Sequence, residues 1–316
     1  MKIKTIILII ISTFYIIDCQ YFTQMSYKDW KELNGTSNAN PILETIYVNG
    51  GKMILQDRQV KLSPYRIGKY EVCYERWKYV YDWALKNGYS IANPSQPGKV
   101  LTTVYHAACK ISWRDVIVWC NAASEMEGLE AVYYIDPGYT VKLKKSDNSP
   151  VSDVQGSQDN PFVKWDADGY RLPTEAEWEC AARGGNPDDT TSWSYLYAGS
   201  NTLGNPYAVY NDPDKEVGSK LPNTLGAYDM SGNMAEFCYD WYDVIGKSYE
   251  INPIGPASMP ASGGKSYRGG HWYDFDTEEH KVGSRISGMW SPGYTYLSPN
   301  DAGSDTIGFR ICRTVH

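Results

Sequence analysis

The chain has 316 residues and a formal net charge of −7, and its lysines and arginines are scattered rather than grouped in runs. Such an acidic chain lacks the basic surface of a nucleic-acid-binding protein and has no electrostatic attraction to anionic membranes. Its length suits one large domain with a substantial core. Aromatic residues make up 14% of the chain, which favours a core of large rings with polar edges over one of aliphatic layers.

The N-terminus indicates export. An apolar run over 6–17 follows two lysines; it is too short to span a bilayer comfortably but matches the core of a signal peptide. Cys19 closes this run as the acylated cysteine of a lipoprotein signal does, although Asp18 fits poorly before it. We predict a signal peptide over 1–19 with lipidation at Cys19, ahead of plain secretion and of an uncleaved anchor. Membrane contact is then expected only through the N-terminus, with the protein in the periplasm or on the outer surface.

Residues 20–43 are polar and are predicted to form a tether, followed by one domain over 44–316. Short strand-like runs at 46–48 and 65–67 flank the turn residues 49–51. Apolar residues at helical spacing predict an amphipathic helix over 71–86.

A second helix is expected to begin after Ser112, which can cap it while Asp115 lies three residues on, and to end before Gly128. The stretch 136–168, rich in Asp, Ser, Gly and Lys, reads as a long exposed loop with a short strand near 162–165.

A third helix should follow Thr174, because Glu177 three residues later completes a capping box. Gly184 and Gly185 then tolerate a left-handed exit. Beyond this point helical periodicity disappears and strand fragments alternate with turns. The pattern is that of an α+β fold with few helices, short strands and many loops.

Four stretches, in this order, resemble the formylglycine-generating enzyme, or sulfatase-modifying factor, family. They are GYRLPTEAEWECAARGG at 169–185, GAYDMSGNMAEFCYDWY at 226–242, YRGGHW at 267–272 and GFRICR at 308–313. The resemblance extends from 46 to 313 and implies this family's variant of the C-type lectin fold. It also implies that Trp272, Phe309 and the Arg268-Gly269-Gly270 turn belong to the framework.

The catalytic residues of that family are missing. Its enzymes bind copper through two cysteines that follow the Gly-Gly pair, and alignment on Gly269 and Gly270 places Asp274 and Glu279 there. Hard carboxylates do not suit Cu(I), so no copper and no oxidase chemistry are expected. The iron-dependent branch of the family needs a His-x-x-x-His-x-Glu set, which the four histidines do not form.

The resemblance supports a structural calcium site better than it supports catalytic activity. Carboxylates of Asp229 and Glu236, with backbone carbonyls of Gly232 and Met234, match positions where the family's enzymes hold calcium, and such oxygen mixtures suit this ion. The alternative is a tight turn that these carboxylates hydrogen-bond without metal.

Other polar residues have simpler interpretations. Arg268, Arg285 and Arg310 are expected to brace carboxylates inside the domain. His271 and His280 could bind a ligand, although an exposed histidine is usually just solvated, and the acidic run over 274–279 is typical of a solvated face. The six cysteines after Cys19 could pair in several ways, but Cys120 and Cys180 lie in apolar stretches that predict small buried hydrophobes.

The sequence therefore favours a non-catalytic, exported or surface-anchored ligand-binding protein. Its C-terminal loops resemble those of the variable proteins of diversity-generating retroelements, and the ligand would be a protein or a glycan. A related protein with a housekeeping role in the envelope is one alternative; the other is an oxidoreductase of the formylglycine-generating family that uses an unrecognised site. The predicted ligand-binding residues are His271, Tyr273, Asp274, Trp290, Tyr294 and Tyr296.

Overall fold

Three of the four helices described in the computed structural model begin at a side-chain cap, and the first, which follows Cys73, has none. The structure describes residues 43–99, 103–204, 206–261, 264–273, 276–285 and 303–316. Helices α1, α2, α3 and α4 comprise Tyr74–Lys86, Trp113–Met126, Glu175–Ala182 and Thr190–Trp193. Reciprocal capping boxes open α2 and α3, at Ser112 with Asp115 and at Thr174 with Glu177, which confirms both predicted helix starts. The short α4 was not predicted.

The strands are short and form several small sheets. A four-stranded sheet has the order β1-β4-β14-β9, two three-stranded sheets have the orders β12-β10-β13 and β11-β3-β2, and β5-β6 and β7-β8 are pairs. The bounds are β1 Thr45–Val48, β2 Gly51–Leu55, β3 Arg58–Leu62, β4 Tyr65–Gly68, β5 Gln96–Pro97, β6 Ala108–Cys109, β7 Tyr133–Tyr134, β8 Phe162–Val163, β9 Tyr170–Arg171, β10 Ala235–Trp241, β11 Glu250–Ile251, β12 Lys265–Arg268, β13 Ile307–Gly308 and β14 Cys312–Thr314. The α+β prediction with short strands is confirmed.

A hairpin that the sequence analysis missed separates the two predicted strands β1 and β4. Strands β2 and β3 bury every second residue, as a half-buried sheet does. Their connecting residues Gln56 and Asp57 have φ of 49° and 62°, a conformation that glycine or asparagine usually supplies. The Gln56 side chain donates to the buried Glu179 carboxylate at 2.6 Å, which ties the hairpin tip to the interior.

Aromatic rings fill the centre of the largest core cluster. Trp77 of α1 stacks on Trp119 of α2 with ring centroids 5.7 Å apart, and Phe309 meets both rings edge-on. All three side chains are fully buried. The core therefore joins the two long helices to the C-terminal strands through aromatic packing, as the composition predicted.

The stretch 136–168 is not simply an exposed loop, because a buried cation of α2 anchors its middle. Asp159 is fully buried and receives two hydrogen bonds from the Arg114 guanidinium, at 2.5 and 2.7 Å. Arg114 also donates to the carbonyls of Asp147 and Ser149. The high polarity of this stretch thus includes residues that pair inside the protein. Within the described residues, no helix is long and apolar enough to cross a membrane.

We expect Arg114→Met to lower the free energy of unfolding by about 3–5 kcal/mol, because it leaves the Asp159 carboxylate buried without its partner. Chemical unfolding measures this change. The control is Lys78→Met, which breaks an ion pair whose two side chains are 48% and 46% exposed and should change stability by less than about 1 kcal/mol. Equal effects of the two substitutions would show that Arg114 is not an anchor.

Candidate ligand-binding site

The framework of the site is a buried set of ion pairs around α3. All eight residues of this helix are buried, including Glu175, Glu177 and Glu179. Each glutamate has an arginine partner from another part of the chain. Glu177 pairs with Arg171 at 2.7 Å and Glu179 with Arg268 at 2.8 Å.

The remaining pairs complete this network. Arg285 binds the Glu175 carboxylate, with its closest contact at 2.6 Å. Arg310 is fully buried, pairs with Glu236 and donates to the carbonyls of Gly68 and Tyr228. The prediction that Arg268, Arg285 and Arg310 brace carboxylates is confirmed.

The Arg268-Gly269-Gly270 turn connects this network to the candidate binding face. Arg268 donates to the carbonyls of Val282 and Ser284. Gly269 and Gly270 have φ of 99° and 67°, and a Cβ at Gly270 would lie 2.7 Å from the His280 ring. Glycine is therefore required at 270 for steric reasons as well as for its backbone conformation.

The first part of the predicted face follows this turn. Tyr273 is 59% exposed and its ring packs on Trp272, with centroids 5.2 Å apart. His271 is half-buried. Asp274, Trp290, Tyr294 and Tyr296 lie outside the described residues, so the grouping of all six residues stays a prediction.

Residues 303–306, which follow the stretch 286–302, are also attached to the framework. The Lys110 amide donates to the Ser304 carbonyl at 2.9 Å, and the Lys99 ammonium pairs with Asp305 at 2.7 Å. The Trp272 indole donates to the Asp305 carbonyl at 3.4 Å. Both ends of the stretch 286–302 are thus attached to the same framework.

His280 is placed differently from the sequence-based expectation of a solvated histidine. Its side chain is fully buried beneath the Gly270 backbone. The acidic neighbours Asp276 and Glu278 are exposed, as predicted, whereas Glu279 is half-buried. His280 is therefore part of the framework rather than of the exposed surface.

The predicted calcium ligands are engaged with protein groups. Both carboxylate oxygens of Glu236 bind Arg310, and one also accepts the Trp178 indole N–H at 2.8 Å. Asp229 accepts the Gly218 amide at 2.7 Å, and burial raises its pKa to about 6. Within the described residues no three His, Cys, Asp or Glu side chains are grouped to hold a metal ion. As arranged, these residues fit the hydrogen-bonded turn better than a calcium site.

The cysteines of the described chain are buried thiols with raised pKa values. Cys73, Cys109, Cys120, Cys180, Cys238 and Cys312 are all free and buried. Burial raises the pKa of Cys73 to about 11 and that of Cys180 to about 12, whereas a reactive thiol needs a lowered pKa. Cys120 and Cys180 are buried hydrophobes, as predicted.

Two buried polar clusters escaped the sequence analysis. The His106 ring nitrogen Nδ1 lies 2.6 Å from the Asp214 carboxylate. The Lys265 ammonium lies 3.8 Å from the ring centres of both Trp113 and Trp241, an arrangement that stabilises a cation through the ring faces. Burial lowers the pKa of Lys265. No local pattern marks either cluster, because the partners are far apart in sequence.

The fold, with its arginine-braced turns around α3 and β10, is that of the formylglycine-generating enzyme type of C-type-lectin-like domain. Residues 31–315 match the family model of the sulfatase-modifying factor enzyme 1-like domain. The chain therefore belongs to this family, as its four motifs predicted.

Individual relatives differ in what they are named for. The chaperone protein LppX of Paenibacillus barcinonensis is 33% identical over 227 residues, covering 63% of this chain and 72% of the relative. The formylglycine-generating enzyme of Streptomyces coelicolor is 29% identical over 178 residues, 52% of either chain.

Two solved structures extend the similarity over most of the chain. Treponema denticola variable protein 1 has a TM-score of 0.66 at 28% identity and covers 85% of this chain and 94% of its own. CarF has a TM-score of 0.63 at 27% identity and covers 87% of this chain and 99% of its own. The family thus includes members with several different names on one scaffold.

We expect stability to fall as pH rises from about 4 to about 7, partly through Asp240. Burial, and then the Glu175 charge, raise the pKa of Asp240 to about 7, whereas an unfolded aspartate titrates near about 3.9. The unfolded chain thus loses this proton first, and each pH unit in the window costs up to about 1.4 kcal/mol. Urea unfolding at several pH values should show a shallower slope for Asp240→Asn. Asp82→Asn, at a side chain that is 46% exposed, should keep the wild-type slope, and equal slopes in all three proteins would contradict this assignment.

We expect calcium to leave the melting temperature unchanged, because Arg310 already neutralises Glu236. A calcium ion bound to the native state at about 100 times its Kd would add roughly 2.7 kcal/mol. Calorimetric melting in calcium and in chelator distinguishes the outcomes. A rise that Asp229→Ala abolishes would establish the calcium site predicted from the sequence.

Proposed function

We propose that this protein is a non-catalytic ligand-binding member of its family, exported and held at the cell surface through lipidated Cys19. The observation that carries the proposal is the replacement of both copper-binding positions by Asp274 and Glu279, on a scaffold whose framework motifs are intact. A family member with an intact framework and without the reactive groups can still display its loops to a ligand.

The anchoring of the C-terminal loops supports a binding role. Arg268 and Arg285 hold the chain at 282–285, and Lys99 and Lys110 hold it at 304–305. The segments that flank residues 286–302 are thus both held by the framework. This stretch includes Trp290, Tyr294 and Tyr296, residue types that serve as anchors in binding surfaces.

The exposed Tyr273 adds an anchor within the described structure. An aromatic side chain that is 59% exposed and backed by the Trp272 ring offers a face to a ligand at small entropic cost, because this ring contact restricts its orientation. We place the ligand contact on His271, Tyr273 and Asp274, together with the three aromatic residues of 286–302.

The relatives favour a polypeptide as the ligand, with a glycan as the second candidate. One relative carries the name of a chaperone and one structural neighbour that of a variable protein. Both names suit a protein that contacts other molecules through an adaptable surface. The formylglycine-generating enzymes among the relatives support the alternative, an oxidoreductase that uses a site without the cysteine pair.

Alanine substitution of Tyr273, Trp290, Tyr294 or Tyr296 should weaken ligand binding by about 2 kcal/mol or more while leaving the melting temperature nearly unchanged. Ligands would first be identified by screening the purified domain on arrays of surface proteins and of glycans. Affinities of wild type and variants for each hit then give the energetic contribution of each ring.

A substitution in the framework is the control for these four variants. Phe309→Ala removes a fully buried ring and should lower stability by about 3–5 kcal/mol. If the four surface variants lost stability as Phe309→Ala does, these residues would be core and the proposed face would be wrong.

Conversion of a sulfatase-type cysteine peptide to formylglycine by the purified domain with copper and oxygen, read by mass spectrometry, would establish the enzymatic alternative.

A further inference from the structure

Strand β2 is the edge of its sheet, and two of its residues direct their peptide groups outward. The order β11-β3-β2 leaves β2 hydrogen-bonded to β3 alone. The Asn252 amide donates to the Lys61 carbonyl at 2.8 Å, so the peptide groups of Lys61 point towards β11 and away from β2. Lys61 lies opposite Lys52. Gln59 lies opposite Ile54. Because peptide groups alternate in direction along an antiparallel pair, the N–H and C=O groups of Lys52 and Ile54 point to the open side of β2.

The outer face of this sheet is exposed, apolar and basic. Side chains of paired residues share a face and alternate along each strand, so the register places the following exposed side chains together: Lys52, Ile54, Gln59, Lys61 and Ile251. Ile54 is 63% exposed and Ile251 is 60% exposed. None of these side chains is acidic, although the whole chain has a formal net charge of −7. Glu250 lies on the opposite face and pairs with Arg58, and Asp57 lies in the connecting turn.

The edge is held in place before any partner binds. Met53 and Leu55, which alternate with the outward residues, are buried in the core cluster that includes α3. The hydrogen bond from Gln56 to Glu179, at 2.6 Å, fixes the hairpin tip. A strand that pairs with β2 therefore meets a preformed template, which lowers the cost of association.

We propose that the open edge of β2 binds an extended segment of an acidic partner polypeptide as an added β-strand. Such a strand would satisfy the outward N–H and C=O groups of Lys52 and Ile54, and these main-chain hydrogen bonds supply the affinity in β-strand addition. The proposal does not rest on the ligand-binding role of the C-terminal loops.

The outer face decides which strand fits best. A side chain of the added strand would lie directly opposite Lys52, where an aspartate or glutamate suits the charge. The position opposite Ile54 suits a β-branched or aromatic residue. In an antiparallel partner, the apolar residue comes two positions before the acidic one.

Two other occupants fit this surface less well. A lipid bilayer would cover Ile54 and Ile251 but offers no hydrogen bonds, so the outward peptide groups of β2 would lose their water without compensation. A second copy of this chain, paired edge to edge, would bring Lys52 and Lys61 of both copies onto one face. Lysine on an edge strand opposes association of like copies, whereas it attracts an acidic strand.

Titration of the isotope-labelled protein with a capped peptide, Thr-Thr-Val-Thr-Glu-Thr-Thr, tests the proposal by NMR. We expect the amides of Lys52 and Ile54 to shift and to become protected from hydrogen exchange. The same peptide with N-methyl groups on its Val and Glu amides, the two that would face β2, should bind more than about tenfold more weakly, because two hydrogen bonds are lost.

A charge exchange tests the outer face. Lys52→Glu should weaken binding of the glutamate peptide about fivefold and should favour the peptide with lysine in place of glutamate. The control is Lys86→Glu, at an exposed residue of α1, which changes the net charge equally and should bind both peptides as wild type does.

The proposal would be overturned by equal binding of the N-methylated peptide, or by unchanged Lys52 and Ile54 amides at several millimolar peptide. Sedimentation that shows dimers dissociated by Ile54→Asp would assign the edge to a second copy instead. Binding to phosphatidylglycerol vesicles that Ile54→Asp abolishes, without peptide binding, would assign the face to a membrane. None of these results bears on Tyr273 and the C-terminal loops, so the two proposals fail separately.

Discussion

The ion pair between Glu179 and Arg268 is the constraint around which the rest of the domain is arranged. Glu179 comes from the helix of the first motif, and Arg268 comes from the turn that opens the candidate binding face. The same carboxylate also accepts from Gln56 at the tip of the β2–β3 hairpin and from Arg183. A single buried carboxylate therefore sets the relative positions of three segments that are far apart in sequence.

The energetics of such pairs explain why the motifs occur together. A buried ion pair gains little net stability over apolar packing, but the loss of one partner leaves an uncompensated charge and is strongly destabilising. Helix α3 buries three glutamates on a segment of eight residues. It can occupy this position only when the arginines of β9, β12 and the chain beyond Val282 are also in place. The family motifs thus supply charged partners to one shared electrostatic network.

The network also separates the framework from the loops that it presents. The half-buried His271 lies directly after the buried Gly270, the exposed Tyr273 follows the half-buried Trp272, and the 303–306 segment is attached to the same framework. The ion pairs of the network join residues that lie on the framework side of these points. This division allows one scaffold to serve relatives with different names, such as a chaperone protein and a formylglycine-generating enzyme.

The sequence by itself determined the features that depend on neighbouring residues. Ser112 and Asp115, like Thr174 and Glu177, form capping boxes because both partners lie within one helical turn. The hairpin at 51–62 also had a local signal in its second strand, the alternation of Val60 and Leu62 with the polar Gln59 and Lys61. The four motifs supplied the family and the fold, and with them the expectation that three arginines brace carboxylates.

Only the tertiary structure decided which polar residues are buried and with whom. His106 and Asp214 are 108 residues apart, and the aromatic rings around Lys265 come from α2 and β10. His280 looks like a surface residue in the sequence, yet the missing side chain of Gly270 makes room for its ring. Local patterns cannot indicate such contacts, because the free energy of burying a polar group depends on partners that the folded chain alone brings within hydrogen-bonding distance.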